Sequence, residues 1–373
     1  MMRRLAVLLL VGAAAASCGG GRDARPPTGW QSVATPALPG TALFAGVSCV
    51  SRSFCVAVGS HLQKLVSHTL VERWDGTAWA VVPTSKPEDR RSNLSGVSCV
   101  TPSFCAAVGN HFTGGGSHGL IEVWNGRSWR ATPSGSPALT NVLSGVSCTS
   151  ESFCVAVGTT RGGTPQTSIQ VWRGHAWSTM RSPSHASSTS LTGVSCVSES
   201  FCIAVGQHSS GEVVSTVAES FDGNRWRLER SPSTSVFSNL TGVACTSPDW
   251  CVAVGGHFHG QGSRTLVLRR EGSWSLRPSP SRSFLSGFAA VSCVSPTACV
   301  TVGAQRAAAA NRTLVAGWDG SAWTIADSPH PDGTSVLAGV SCTRGKDVVC
   351  FAVGSSGPVF GISGQPLVLR AAV

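Results

Sequence analysis

The stretch GVSCVSRSFCVAVG, residues 46–59, sets two cysteines six positions apart, Cys49 and Cys55, between a short apolar run and a second run that ends in glycine. The phrase returns down the chain: GVSC begins at 46, 96, 145, 193 and 339, GVAC at 242 and AVSC at 290. The first cysteines of the seven copies are separated by 50, 49, 48, 49, 48 and 49 residues. Such regularity marks one supersecondary unit repeated along the chain, as in propellers and solenoids.

Each unit reads as four short strands. In the first copy these are the GVSC piece, FCVAVG, TLVERW ending at Trp74, and TAWAVVP around Trp79. Asp75-Gly76 joins the last two, a strong hairpin signal because both central residues of the turn need positive φ. The signal returns as Asn125-Gly126, Asp222-Gly223 and Asp319-Gly320, with Arg173-Gly174 and Glu271-Gly272 as weaker versions. Linkers such as TPSGSP and RSPS stop strands, and no stretch keeps a helical period. Four antiparallel strands per unit fit a propeller blade. The expectation is an all-β, seven-bladed β-propeller of four-stranded antiparallel blades, with repeats beginning near 43, 93, 142, 190, 239, 287 and 336. The seventh copy runs only through its third strand, near PLVLRAAV. Its missing fourth strand matches the segment from Trp30 to Pro36. The N-terminal strand is therefore expected to complete the last blade, a closure that leaves few strand edges exposed.

The pattern C-x-S-x-x-x-C-x-A-V-G followed by W-[DN]-G-x-x-W resembles the propeller repeats of exported proteins of high-GC bacteria, lipoproteins among them. The resemblance spans nearly the whole chain after residue 30; it implies an exported propeller and names no activity. G-x-x-W also resembles part of the Asp-box hairpin of sialidase-type propellers, although here the Asp immediately precedes the Gly instead of standing two before it.

Fourteen cysteines fall into seven pairs: Cys49/Cys55, Cys99/Cys105, Cys148/Cys154, Cys196/Cys202, Cys245/Cys251, Cys293/Cys299 and Cys342/Cys350. Each flanks the turn between the first two strands of a blade, where antiparallel neighbours come within disulfide reach. Zinc sites favour two to four residues between paired ligands, not five, and exported chains oxidise their thiols. Seven disulfides and no metal are expected.

The fifteenth cysteine, Cys18, belongs to the chain's opening, MMRRLAVLLLVGAAAASC. Arg3 and Arg4 precede an apolar run from Leu5 to Ala16, too short to span a bilayer and followed by small residues, which reads as a signal peptide over 1–17. Ala15-Ala16-Ser17-Cys18 resembles a bacterial lipobox with Cys18 as the lipidated residue; the alternative is plain secretion, and the export route is open between general and twin-arginine types. Residues 18–29 read as a flexible tether and 30–373 as a single propeller domain.

The chain has 28 basic and 18 acidic residues and no tyrosine. An exported protein with this balance meets anionic wall polymers, lipid head groups and acidic glycans, not nucleic acid. Four histidines, His61, His111, His208 and His257, stand two residues after the glycine of the second strand; Thr160, Gln305 and Ser356 fill that position elsewhere. They are expected in loops on the face that also carries the linkers. The first linker holds Lys86, Glu88, Asp89, Arg90 and Arg91. Together His61, Arg90, Arg91, His111, His208 and His257 form the candidate binding face for an anionic partner, with histidine strengthening the attraction on acidification.

Catalytic signals are poor. Asp75, Asp222 and Asp319 are accounted for by turns, and Glu72, Glu122 and Glu219 share one third-strand position. A glycosidase needs two carboxylates flanking a bond, or in sialidases a tyrosine. Gly115-Gly116-Ser117-His118-Gly119 matches G-x-S-x-G, but without the strand-to-helix turn that motif requires. The tryptophan pairs are expected to fill the space between blades. The resulting expectation is a monomeric, lipid-anchored, extracytoplasmic binding or scaffold module without cofactor, for an envelope protein or anionic glycan, touching the membrane only through its lipid. The alternative is a polysaccharide-active lyase or hydrolase on the same scaffold.

Overall fold

The computed structural model describes residues 25–85, 91–136, 140–161, 166–183, 188–331, 333–343, 345, 348–358 and 364–372. Residues 1–17, read above as a signal peptide, and Cys18, Lys86, Glu88, Asp89 and Arg90 lie outside the described residues. The described residues contain no helix. They form seven four-stranded antiparallel sheets. In blade 1 the strands are Thr41–Ser51, Phe54–Gln63, Val66–Trp74 and Trp79–Val81, innermost to outermost. The pattern repeats through blade 6. Blade 7 supplies Thr334–Cys342, Val349–Gly357 and Gln365–Ala372. Its fourth strand is Gln31–Ser32, registered on Arg370 and Leu369. The chain is thus a seven-bladed β-propeller closed by its N-terminal strand.

Each letter of the repeated phrase has a task. The first strand of blade 1 carries a bulge between Phe44 and Gly46, which bends the innermost strand. The bulge thrusts the Leu43 carbonyl at Gly59, where a Cβ would sit 1.9 Å from that oxygen. Only glycine fits there, and the same clash recurs at Gly109, Gly158, Gly206, Gly255, Gly303 and Gly354. The glycine of GVSC faces the axis. A Cβ on Gly46, Gly96, Gly145, Gly193, Gly242 or Gly339 would lie 3.0–3.4 Å from the Cα of the next blade's counterpart. The inner strands therefore meet almost backbone to backbone around a central cavity of about 220 Å³.

The serine of GVSC latches neighbouring blades. Ser48 Oγ accepts from the Cys99 N–H at 2.9 Å, and Ser98, Ser147, Ser195, Ser292 and Ser341 do the same for the next blade's first cysteine at 2.9–3.0 Å. At the junction of blades 5 and 6 the position is Ala244.

All seven expected disulfides are closed: Cys49–Cys55, Cys99–Cys105, Cys148–Cys154, Cys196–Cys202, Cys245–Cys251, Cys293–Cys299 and Cys342–Cys350, each with Cα atoms 4.0 Å apart. They staple one end of each blade, at the turn between its first two strands. The second member of each pair, Cys55, Cys105, Cys154, Cys202, Cys251, Cys299 or Cys350, is buried in the core, at most 1% exposed. The reason is that the second strand is an inner strand of its sheet, covered on both faces by neighbouring blades, so its cysteine sinks among them. These cysteines are therefore framework residues and form no part of a surface site, and a buried disulfide adds apolar packing to its constraint on the unfolded chain.

The core lies between blades. Trp79 stands opposite Trp74 with ring centroids 5.8 Å apart, and both pack on Phe351 of blade 7 at 5.6 and 5.3 Å. A tryptophan opens the fourth strand of every blade: Trp79, Trp129, Trp177, Trp226, Trp274, Trp323 and, closing blade 7, Trp30. Fully burying one such aromatic contributes about 1.5–3 kcal/mol. The third-strand partner also anchors the disulfide hairpin, since Trp74 Nε1 donates to the Arg52 carbonyl at 3.0 Å.

Candidate functional site

The linker face is where first strands begin and second strands end. The four repeat-position histidines are found there, but within strands and not in loops. Lys64 and Leu65 make a tight turn with φ of 48° and 65°, so the ladder of blade 1 continues outward past His61, registered on His68. This geometry matches the twist of flanking strands and lets pairing run to the turn. His111 likewise registers on His118, with rings 5.5 Å apart. His61 donates to the Pro39 carbonyl. His208 Nδ1 meets Thr189 Oγ1 at 3.1 Å, and His257 Nδ1 donates to the Phe258 carbonyl at 3.2 Å.

The four histidines hold one repeat position, each in its own blade, and Arg90 lies outside the described residues. Among the described residues no three His, Cys, Asp or Glu side chains gather as a metal cluster. Arg91 is exposed, and its carbonyl accepts from the Phe112 N–H at 2.8 Å, which sets it beside His111. Exposed aromatics share this face: Phe112 is 48% and Phe258 50% accessible. Phe237 stacks on Phe258 at 4.7 Å. A cavity of about 290 Å³ beside them is lined by His257, Arg264, Thr234 and Ser281.

The turn aspartates serve the turns. Asp75 Oδ1 accepts from the N–H groups of Ala78 and Thr77 and from the Thr77 hydroxyl. These bonds, the Ala78 one foremost, hold its carboxyl down to about 2. Asp319 is held at about 2 in the same way, led by the Ser321 hydroxyl.

Glu72, Glu122 and Glu219 are fully buried, and burial pushes each up to about 7. They stand one to a blade, and two of them fasten linkers. Ser85 Oγ, in the linker entering blade 2, donates to Glu122 Oε1 at 3.0 Å. Ser182 Oγ meets both oxygens of Glu219 at 2.9 Å. In blade 3 the equivalent Gln170 accepts from the Gly135 N–H at 2.9 Å.

One charged cluster escaped the sequence reading. Blade 5 carries Arg270 in the slot held by Trp74, Trp124, Trp172 and Trp318 elsewhere. Its guanidinium donates to the Pro248 carbonyl, as those indoles do to their hairpins, and also grips Glu229 of blade 4 at 3.0 and 3.1 Å. Next to it Arg269 and Arg277 both donate to Glu271 Oε2, at 3.0 and 3.1 Å. The signal that could have found this cluster was the break in the tryptophan register.

No family model matches the chain, and no curated protein matches it. Among solved structures it is similar to YCF48 bound to a D1 peptide, at TM-score 0.57 and 15% identity over 93% of this chain and 99% of that one. It is similar to YCF48 from Cyanidioschyzon merolae at TM-score 0.56 and 14% identity, over 92% and 98% of the two chains. The SapL1 lectin in complex with alpha methyl fucoside follows at TM-score 0.51 and 12% identity, over 80% and 98%. At these identities the likeness is one of fold, and the shared fold is the β-propeller.

Proposed function

We propose that the protein is an extracytoplasmic binding or scaffold module, anchored by lipid at Cys18, whose linker face takes an envelope protein or anionic glycan. The observation that carries this reading is that exposed aromatics and basic side chains share one face: Phe112 and Phe258 stand there with Arg91, His111 and His257. The repeated framework positions are consumed by bulge, latch, staple and turn. Specificity therefore falls to the positions that differ between blades, and those lie at the strand ends and linkers of this face. A scaffold with seven disulfides is compatible with an oxidising compartment, and the signal-like opening and the resemblance to exported propellers support the same placement. The neighbours of like fold include a peptide-bound and a sugar-bound propeller.

The test is binding of the full-length protein to envelope extracts and to an array of anionic and neutral glycans. Arg90→Ser with Arg91→Ser should weaken capture of the anionic partner and leave the melting temperature unchanged. Added salt should weaken it further, because exposed charges are screened over about 8 Å at physiological ionic strength. Salt-insensitive capture that survives the double replacement places the functional surface elsewhere. Cys18→Ala should move the protein from the membrane to the soluble fraction, and a variant that stays membrane-bound overturns the anchor.

A further inference from the structure

A second site lies on the outer rim between blades 5 and 6, next to the cavity of about 290 Å³, with which it shares Arg277 and Ser279. The outer strands there enclose a cavity of about 550 Å³ lined by Arg269, Arg277, Ser279, Trp318, Trp323 and the hairpin residues 320–322. Its volume falls within the range of small-ligand pockets. One wall is aromatic. Trp318 is buried, Trp323 is half-buried, and their centroids are 5.7 Å apart. The other wall is cationic. The Arg269 guanidinium lies 5.8 Å from the Trp318 ring centroid. Arg269 and Arg277 share a single carboxylate oxygen, Glu271 Oε2. One carboxylate thus faces two guanidinium charges, leaving a positive excess. The Asp319 carboxylate of the neighbouring hairpin is turned into its own turn, where Oδ1 accepts from the Ser321 and Ala322 N–H groups and the Ser321 hydroxyl.

This combination is particular to one junction. The Arg277 position is held by Val82, Thr132, Met180, Glu229, Ala326 and Val33 in the other blades. The Arg269 position is Val123, Val171, Ser220 and Gly317 in blades 2, 3, 4 and 6, and is arginine again in blades 1 and 7, Arg73 and Arg370. Four blades pack without arginine at this position and six without it at the Arg277 position, and blade 5 alone carries both, beside a tryptophan wall.

We propose that this rim cavity binds a carboxylate-bearing sugar residue of the uronate type. The apolar face of a pyranose ring lies against an indole, as flat apolar surfaces do on aromatic side chains. A guanidinium offers the planar pair of donors that a carboxylate accepts. Ser279 Oγ donates to Thr265 Oγ1 at 2.7 Å, so its lone pairs remain to accept a ring hydroxyl. A ligand carboxylate competes with Glu271 for the two arginines and neutralises the excess charge.

The test uses the full-length protein with trigalacturonate and, as the uncharged counterpart, maltotriose, followed by calorimetric titration at low and high salt. Trigalacturonate should bind at least tenfold more tightly than maltotriose, and less tightly in high salt. Arg277→Thr installs the residue that blade 2 holds at Thr132, and Arg269→Val the residue of blades 2 and 3, so both variants keep side chains that the repeat accommodates. Each should weaken trigalacturonate at least tenfold with the melting temperature unchanged. Arg90→Ser with Arg91→Ser should leave this binding as in wild type, which separates the rim site from the linker face. The proposal is overturned by absence of trigalacturonate binding, by equal affinity for maltotriose, or by an Arg277→Thr protein that binds like wild type. It is also overturned if the loss appears only in the Arg90/Arg91 variant.

Discussion

Blades 1 to 4 and blades 5 to 7 share one backbone and differ at one buried position of the third strand. The first group holds Glu72, Glu122, Gln170 and Glu219 there, and the second Leu268, Ala316 and Leu369. The difference follows how each incoming linker is fastened. Linkers entering blades 2, 3 and 4 are tied forward, to Glu122, Gln170 and Glu219. A backward tie, to the blade being left, is made by the linkers entering blades 2 and 4, where Thr84 meets Thr69 at 2.7 Å and Ser182 meets Thr167 at 2.6 Å, and also by those entering blades 5, 6 and 7. Thr216, Thr265 and Thr313 donate to the carbonyls of Pro232, Pro280 and Pro329 at 3.1, 2.7 and 3.0 Å. What separates the two groups is the forward contact alone: a linker donor meets Glu122, Gln170 and Glu219, and an apolar side chain stands at that position in blades 5 to 7. A buried polar group is thus retained where it has a linker donor to meet. Glu72 departs from this rule, since neither of its carboxyl oxygens has a hydrogen-bond partner.

The largest expected effect is on pH dependence. The three carboxyls are raised from 4.5 to about 7. An unfolded chain ionises them first, so their contribution is fully present below about 4.5 and is lost as pH rises through about 7. A shift of this size corresponds to about 3 kcal/mol per group at most. Denaturant unfolding should show wild type losing several kcal/mol between about pH 5 and pH 8. The triple variant Glu72→Gln, Glu122→Gln, Glu219→Gln extends the blade 3 solution to its neighbours and should flatten that profile. A wild-type profile that is already flat would break the comparison.

Next in size is Glu72→Leu, which gives blade 1 the residue of blades 5 and 7. Removing an unpartnered buried carboxyl should stabilise the protein by about 1–3 kcal/mol at neutral pH. Glu219→Leu should gain less, because Ser182 then loses its acceptor. Equal gains would mean that the linker bond contributes nothing. The smallest effect belongs to Ala244→Ser. It supplies the missing latch between blades 5 and 6 and should add about 1 kcal/mol, read as a small rise in melting temperature with the Cys293 amide more protected from exchange.

The architecture was open to reading because its causes are local. Cysteines at a fixed period, Asp75-Gly76 and its relatives, and a tryptophan-to-proline piece, Trp30 to Pro36, at the wrong end of the chain each report a constraint within a few residues. The register of Cys49 on Cys55 and of Gln31 on Arg370 follows from them. What stayed hidden depends on contacts across blades. Glu122 is visible as a repeat feature, but its burial against Ser85 appears only when the linker is placed. Arg277 and Trp323 lie on different blades, and no local pattern announces that they share a cavity. The histidines look like loop residues in the sequence because the glycine at 59 resembles a strand end. The bulge it accommodates lets the strand continue to Gln63.

The ring joins contacts at opposite extremes of sequence separation. Six disulfides link residues 6 apart and the seventh residues 8 apart, whereas closure brings Gln31 to Arg370. The entropy of bringing chain ends together grows with the logarithm of the loop they enclose. For each cysteine the native partner is therefore the pairing with the smallest loop-closure cost. The two-residue strand that shuts the ring has nothing to pair with until residues 365–372 are in place. By loop-closure cost the staples rank lowest, the blades next, and the circle highest.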